Sequence, residues 1–169
     1  IAFDEVFIPL YTDDKADKDR ILSFSRAGKV PALIDGDITV WDSLSIIEYL
    51  AEKFPQAGLW PQDRARRAHA RSISAEMHSG FVPLRSECGM NLHRSIGAVA
   101  LSEDARANVA RILEIWADCN SRYGKEGPFL FGPFSGADAM FAPVVHRFLH
   151  YLHADDQDQP SSPGRRTRR

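Results

Sequence analysis

Asp42-Ser43 is the pair whose chemistry the local pattern supports most directly. An acid and a hydroxyl stand immediately before Leu44, Ile47, Leu50, Ala51 and Phe54, which recur at helical spacing. Both residue types cap helices, and a hydroxyl beside the free amides of a helix N-terminus is also a ready site for an anion. Val30-Pro31, ahead of the apolar run Ala32-Leu-Ile34, reads on its own as a proline opening an edge strand. His146, His150 and His153 fall at i, i+4 and i+7 on one helix face. Imidazoles so spaced could chelate a metal, but no acidic or cysteine ligand is nearby in sequence, so no metal site is expected here. Arg64, Arg66, Arg67 and Arg71 form a basic cluster that reads as a solvated face or a subunit interface, because acidic residues elsewhere balance it. Met77, His78 and Phe81 fit a hydrophobic pocket or core packing equally well. Cys88 and Cys119 form no CxxC or CxxxC pair, so they read as buried, reduced thiols.

These residues need elements to position them. Phe3, Val6, Phe7 and Ile8 predict a strand that Pro9 ends, since proline brings no ladder donor. A weak helix over Lys15 to Phe24 follows from the broken stripe of Ala16, Ile21, Leu22 and Phe24. Asp35-Gly36-Asp37 between Ala32-Leu-Ile34 and Ile38-Thr-Val-Trp41 predicts a hairpin. The helix behind Asp42-Ser43 then stops at Pro55. Pro55 to Gln62, with Gly58 and Pro61, has the composition of a linker.

The remainder reads as helix. Asp63 to about His93 is helical with interruptions at Gly80 and Pro83. Ser102-Glu-Asp opens a second helix that carries Ala105, Val109, Ile112, Trp116 and Cys119 on one face and has Gly124 as its cap. Ser135-Gly-Ala-Asp138 is a capping box with Asp in the place of Glu, and it starts a helix reaching about Leu152. Residues 1–54 are thus expected to be α/β, 55–62 a linker, and 63–151 all-helical. Residues 152–169 hold only Leu152 and Ala154 as aliphatic side chains, so they are expected to be a disordered tail.

Composition sets the outer limits. The 169 residues carry 21 Lys plus Arg against 23 Asp plus Glu, and a net charge of -2 argues against a protein built mainly to neutralise phosphate backbones. Apolar stretches of about four residues fall far short of the roughly 20 that span a bilayer. No basic segment followed by an apolar one opens the chain, so a cytoplasmic protein with no nucleic-acid or membrane partner is expected. With 44% hydrophobic residues and a mean hydropathy of -0.30, the chain has globular composition.

The run from Gly28-Lys-Val-Pro-Ala-Leu-Ile-Asp-Gly-Asp to Trp41-Asp-Ser-Leu-Ser-Ile-Ile-Glu-Tyr-Leu-Ala-Glu52, followed by a helical segment containing Ser135-Gly-Ala-Asp138, resembles the cytosolic glutathione S-transferases. The resemblance covers residues 1 to about 151, and Ala75-Glu-Met-His-Ser-Gly-Phe81 is similar to bacterial members. It implies a thioredoxin-like α/β part without its first βα unit, then an all-α domain. It also implies a cis bond at Pro31 that turns the Val30 backbone toward glutathione, an extended peptide bound as an added strand.

By the same resemblance Ser43 holds the γ-glutamyl carboxylate, Asp42 orients the ammonium group, and Lys29 reaches the glycyl carboxylate. Pro31, Ser135 and Asp138 are structural, Pro143 kinks the last helix, and no metal is needed. The implied protein is a homodimeric detoxification enzyme. Its glutathione thiolate would attack a small hydrophobic electrophile in conjugation, halide removal or isomerisation. The activating Ser, Tyr or Cys would precede residue 1, so no catalytic residue is assigned here. Beyond Tyr151 the polar composition departs from the family's apolar helices. The alternatives are a non-catalytic glutathione-binding or protein-interaction module, or an inactive fragment.

Overall fold

The computed structural model describes residues 1–10 and 12–152, and the chain divides into two compact units, Ile1–Trp60 and Pro61–Arg169. In the first unit, Asp14 accepts from the Ala16 amide at 2.8 Å and starts helix α1 (Lys15–Phe24), which ends at buried Ser25. Strands β1 (Ala32–Asp35) and β2 (Ile38–Trp41) form an antiparallel hairpin whose register runs from Ala32↔Trp41 to Asp35↔Ile38. Gly36 leads the two-residue turn at φ 58°, a backbone setting that costs glycine nothing. Helix α2 (Ser43–Lys53) follows, closed by the Phe54 amide on the Leu50 carbonyl. The stretch expected as a linker is ordered: a 3-10 turn at Pro55–Ala57, Gly58 in the left-handed region, then buried Trp60 at the division between the units.

Residues 1–9 form no strand, contrary to expectation. Phe3 and Phe7 are 77% and 79% exposed. A strand needs a neighbour to pair with, and among the described residues the sheet contains only the two hairpin strands.

The second unit is built on helices α3 (Arg64–Ser79), α4 (Val82–Glu87), α5 (Glu103–Tyr123) and α6 (Gly136–Tyr151). The single interrupted helix expected from Asp63 to about His93 is broken more completely. Its first segment stops at Ser79, where Gly80 packs so tightly that a Cβ would sit 2.6 Å from the Glu76 carbonyl oxygen. Phe81 then takes φ 58° and turns the chain into the short α4. Residues 88–102 are irregular because their polar groups have partners on α6. Gly97 and Val99 donate to the last carbonyls of that helix, those of His150 and Tyr151, at 3.1 and 2.9 Å.

The core of this unit runs along α3, α5 and α6. Ile73 and Met77 bury from α3, Ile112 and Cys119 from α5, and Phe141 and Phe148 from α6, with the Trp116 ring 6.0 and 5.2 Å from the last two. Of the three residues that fit a pocket or core packing, Met77 and Phe81 are buried in the core and His78 is half-buried. The helix expected to reach about Leu152 ends at Tyr151 and continues through Pro143, with Leu152 buried behind it. Residues 153–169, expected to be disordered, lie outside the described residues.

Caps fix the helix starts. Ser102 accepts from the Ala105 amide at 3.1 Å and is itself gripped by the Glu87 carboxylate through its amide and hydroxyl, at 2.9 and 2.5 Å. Asp138 gathers more. Its carboxylate accepts the Ser135 amide at 2.8 Å, the Ser135 hydroxyl at 2.9 Å and the Leu130 amide at 2.9 Å, tying the preceding loop to α6. Ser135→Ala is therefore expected to cost about 0.5–2 kcal/mol. Asp138→Ala should cost more, since it also strands the Leu130 amide. Denaturant titration of both variants checks the order, and equal losses would contradict it.

Candidate functional site

The hairpin register brings the two motifs together. Ala32 and Trp41 are cross-strand partners, so Val30-Pro31 and Asp42-Ser43 leave the ladder side by side at the same end. The Val30–Pro31 peptide is cis, and Lys29 and Val30 are both exposed. Asp42 holds φ 75° and ψ 130°, a setting that costs a non-glycine residue about 1–3 kcal/mol and collects at ligand clamps. Its carboxylate Oδ1 accepts the amides of Leu44 and Ser45 at 2.9 and 3.4 Å, while its carbonyl accepts the Ile46 amide at 2.9 Å. The cap expected from the pair therefore falls to Asp42 alone. Ser43 is the first helical residue, half-buried, and its amide comes ahead of those that Asp42 engages.

Helix α2 is fastened to the hairpin by a contact the sequence reading missed. The Tyr49 hydroxyl donates to Asp35 Oδ2 at 2.5 Å, and the Lys53 ammonium donates to the same oxygen. Lys53, then Tyr49, holds the Asp35 carboxyl below its usual range, while Asp35 pushes the Lys53 and Tyr49 pKa values up. The i, i+4 spacing of Tyr49 and Lys53 on one helix face was the available signal.

Other candidates serve elsewhere. Arg66 forms a two-pronged pair with Glu126, and Arg67 donates to the carbonyls of Pro61 and Gln62 at 3.2 and 3.0 Å, so these two members of the basic cluster are engaged within their own unit. Both cysteines are buried and unbridged. Burial pushes the Cys119 thiol up to about 11 and raises that of Cys88, which leaves neither as a thiolate nucleophile near neutrality. Ser135 and Asp138 belong to the α6 cap. His146 and His150 stack on α6, and His153 lies outside the described residues.

The family model described as the N-terminal domain of glutathione S-transferase matches residues 1–53, and the one described as its C-terminal domain matches residues 92–164. The chain belongs to the glutathione S-transferase family. It is 27% identical over 170 residues to glutathione S-transferase Z2 of Arabidopsis thaliana, covering 95% of this chain and 72% of that one. Over 70 residues it is 43% identical to a probable maleylacetoacetate isomerase of Caenorhabditis elegans, covering 41% of this chain and 32% of the relative. Among solved structures, a Burkholderia glutathione transferase homologue with bound glutathione aligns at a TM-score of 0.54 and 29% identity. That alignment covers 73% of this chain and 58% of the homologue, so the chain spans under two thirds of that structure's length. The fold of this family, a small sheet with helices followed by an all-helical domain, is the one described above. Among the described residues no helix is long and apolar enough to cross a membrane.

The Asp35 contact makes a pH prediction. Its folded-state pKa is depressed, so its stabilisation is fully present above the unfolded value near 3.8 and is lost as the pH falls through the lower folded value. Asp35→Asn should thus lower the melting temperature at neutral pH, and the gap from the unchanged chain should narrow as the pH drops below 3.8. Melts recorded across that range check this, and a gap that stays constant would contradict it.

Proposed function

We propose that this glutathione S-transferase chain binds glutathione at Lys29, Val30, Asp42 and Ser43. The observation that supports it best is the register pair Ala32↔Trp41, which sets an exposed backbone stretch beside a helix N-terminus. Glutathione is an extended peptide about 10 Å long with a carboxylate at each end and an ammonium at one. It pairs with the Val30 backbone as an added strand. Its γ-glutamyl carboxylate meets the Ser43 hydroxyl and amide, where the α2 dipole favours negative charge. The ammonium meets Asp42, and the glycyl carboxylate meets Lys29.

The reaction is attack of the glutathione sulfur, as thiolate, on a small hydrophobic electrophile. In conjugation and in halide removal a carbon–sulfur bond forms as the leaving group departs with the bonding pair. In isomerisation the sulfur adds and later leaves, and the relative named a probable maleylacetoacetate isomerase supports including that outcome. The residue that lowers the thiol pKa is not assigned among these 169 residues. The buried, high-pKa cysteines are poor candidates for the role. The reading carries with it a cytoplasmic homodimer and a detoxification role.

Calorimetric titration of glutathione into the purified chain tests the site. Saturable binding is expected, and Ser43→Ala should weaken it by about 1.5–3 kcal/mol, tenfold or more, because a hydrogen bond to a charged carboxylate is lost. A folded chain that binds no glutathione, or a Ser43→Ala variant with unchanged affinity, would overturn the assignment.

A further inference from the structure

Of the two cysteines and three methionines in the chain, Met90 alone is open to solvent. It is 49% exposed, while Met77, Met140, Cys88 and Cys119 are buried. The two residues before it are held against α6 through their carbonyls. Arg147 Nε donates to the Cys88 carbonyl at 2.8 Å, and the Tyr151 hydroxyl donates to that of Gly89 at 2.6 Å. Backbone pinned in this way keeps the Met90 side chain beside the helix, and its sulfur lies 3.9 Å from Arg147 Nη1.

The Arg147 guanidinium is buried and, among the described residues, bonds to carbonyls and this sulfur and to no carboxylate. Nη1 carries two N–H groups. One donates to the Pro143 carbonyl at 3.0 Å, and the other faces the thioether, a weak acceptor. A buried cationic donor with a weak partner forgoes much of the stabilisation that a full hydrogen bond to a charged group brings. The 3.9 Å separation has room for one more atom, because an S–O bond and a charge-assisted N–H···O contact of about 2.7–2.9 Å, bent at the oxygen, span it.

We infer that Met90 is a redox-modification site, at which a hydroperoxide oxidises the sulfur to the sulfoxide and Arg147 holds the new oxygen. A sulfur lone pair attacks the terminal peroxide oxygen, and the S–O bond forms as the O–O bond breaks. The leaving oxygen departs with the bonding pair and takes the proton. Sulfur gives up two electrons and the hydroperoxide gains them, ending as an alcohol or, from hydrogen peroxide, as water. Three rotatable bonds let the side chain turn the oxygen from the solvent side onto the guanidinium. A sulfoxide formed inside an apolar core disrupts it. Here the sulfur stands half in solvent beside a cation that lacks a strong acceptor, so oxidation tightens residues 88–90 on α6. The site lies in the second unit and does not depend on the glutathione reading.

The full chain is treated with limiting hydrogen peroxide, its peptides are read by tandem mass spectrometry, and the intact product is melted. One added oxygen per chain is expected, on Met90 before Met77 or Met140. The melting temperature should rise by about 2–4 °C, the shift that one good hydrogen bond gives a chain of this size. Met90→Gln, whose amide oxygen also accepts from Arg147, should melt above Met90→Leu without peroxide, and the same limiting dose should move neither. Oxidation that misses Met90 or spreads evenly over the three methionines overturns the proposal. So does a Met90 sulfoxide chain that melts at or below the untreated one.

Discussion

A four-residue antiparallel ladder decides how Val30-Pro31 and Asp42-Ser43, the candidate site, stand relative to each other. Because side chains alternate faces along a strand, a slip of one residue would move each of them to the other side of the sheet. The two-residue turn led by Gly36 pins the register, and the pair Ala32↔Trp41 closes the ladder at its far end. Two chain segments that are eleven positions apart in sequence, at Pro31 and Asp42, leave the sheet as neighbours for that reason alone. Asp42 then has to reverse the chain from strand to helix within one residue, and it does so at φ 75°. Its own carboxylate offsets part of that cost by accepting two amides of the helix it starts. The Asp35 contact with Tyr49 and Lys53 works from the other end of the hairpin, so α2 is held at both ends of the same two strands.

What could be read in the sequence was whatever depends on neighbours a few residues away. Helix α1 follows Asp14, α5 follows Ser102 and α6 follows Ser135, each opened by a local side-chain bond. The hairpin turn at Asp35-Gly36-Asp37 is equally local. What failed depended on distant partners. Phe3 and Phe7 have strand-forming character but, among the described residues, no strand beside them. Residues 88–93 give up helix because α6, some fifty residues onward, offers Arg147, Tyr151 and His146 as partners for the carbonyls of Cys88, Gly89 and Asn91. At the candidate site, the pairing of a Val-Pro with an acid-Ser was legible through family resemblance. The strained φ of Asp42 and the Asp35 fastening were not, because both are products of the assembled hairpin and helix.

Helix α6 organises the second unit along its whole length. At its start Asp138 draws in the loop amide of Leu130. In its middle Arg147, only 7% exposed, donates to the Cys88 carbonyl at 2.8 Å and to the Pro143 carbonyl at 3.0 Å. Burial pushes the Arg147 pKa down, and carbonyl oxygens stand in for the carboxylate partner that a buried guanidinium usually has. At its end the carbonyls of His150 and Tyr151 are taken by the 88–102 stretch. The surface ion pairs, such as Arg111 with Glu76 and Glu114, decorate this arrangement and add little at their exposure.

The two units divide the labour unequally. Helices α1 and α2 and both strands contain no fully buried residue, whereas α3, α5 and α6 together contain most of the buried apolar side chains. Elements with little buried surface open locally at lower free-energy cost, and ligand-binding segments are drawn from that class. The candidate site of the first unit is therefore positioned by polar geometry, namely a ladder, a cap and a carboxylate shared by Tyr49 and Lys53. Polar geometry of this kind tolerates the strained Asp42 because the strain is opposed by directed bonds and not by close packing. A ligand that pairs with the Val30 backbone and the start of α2 would join the same set of bonds, adding order where the chain's own burial supplies least.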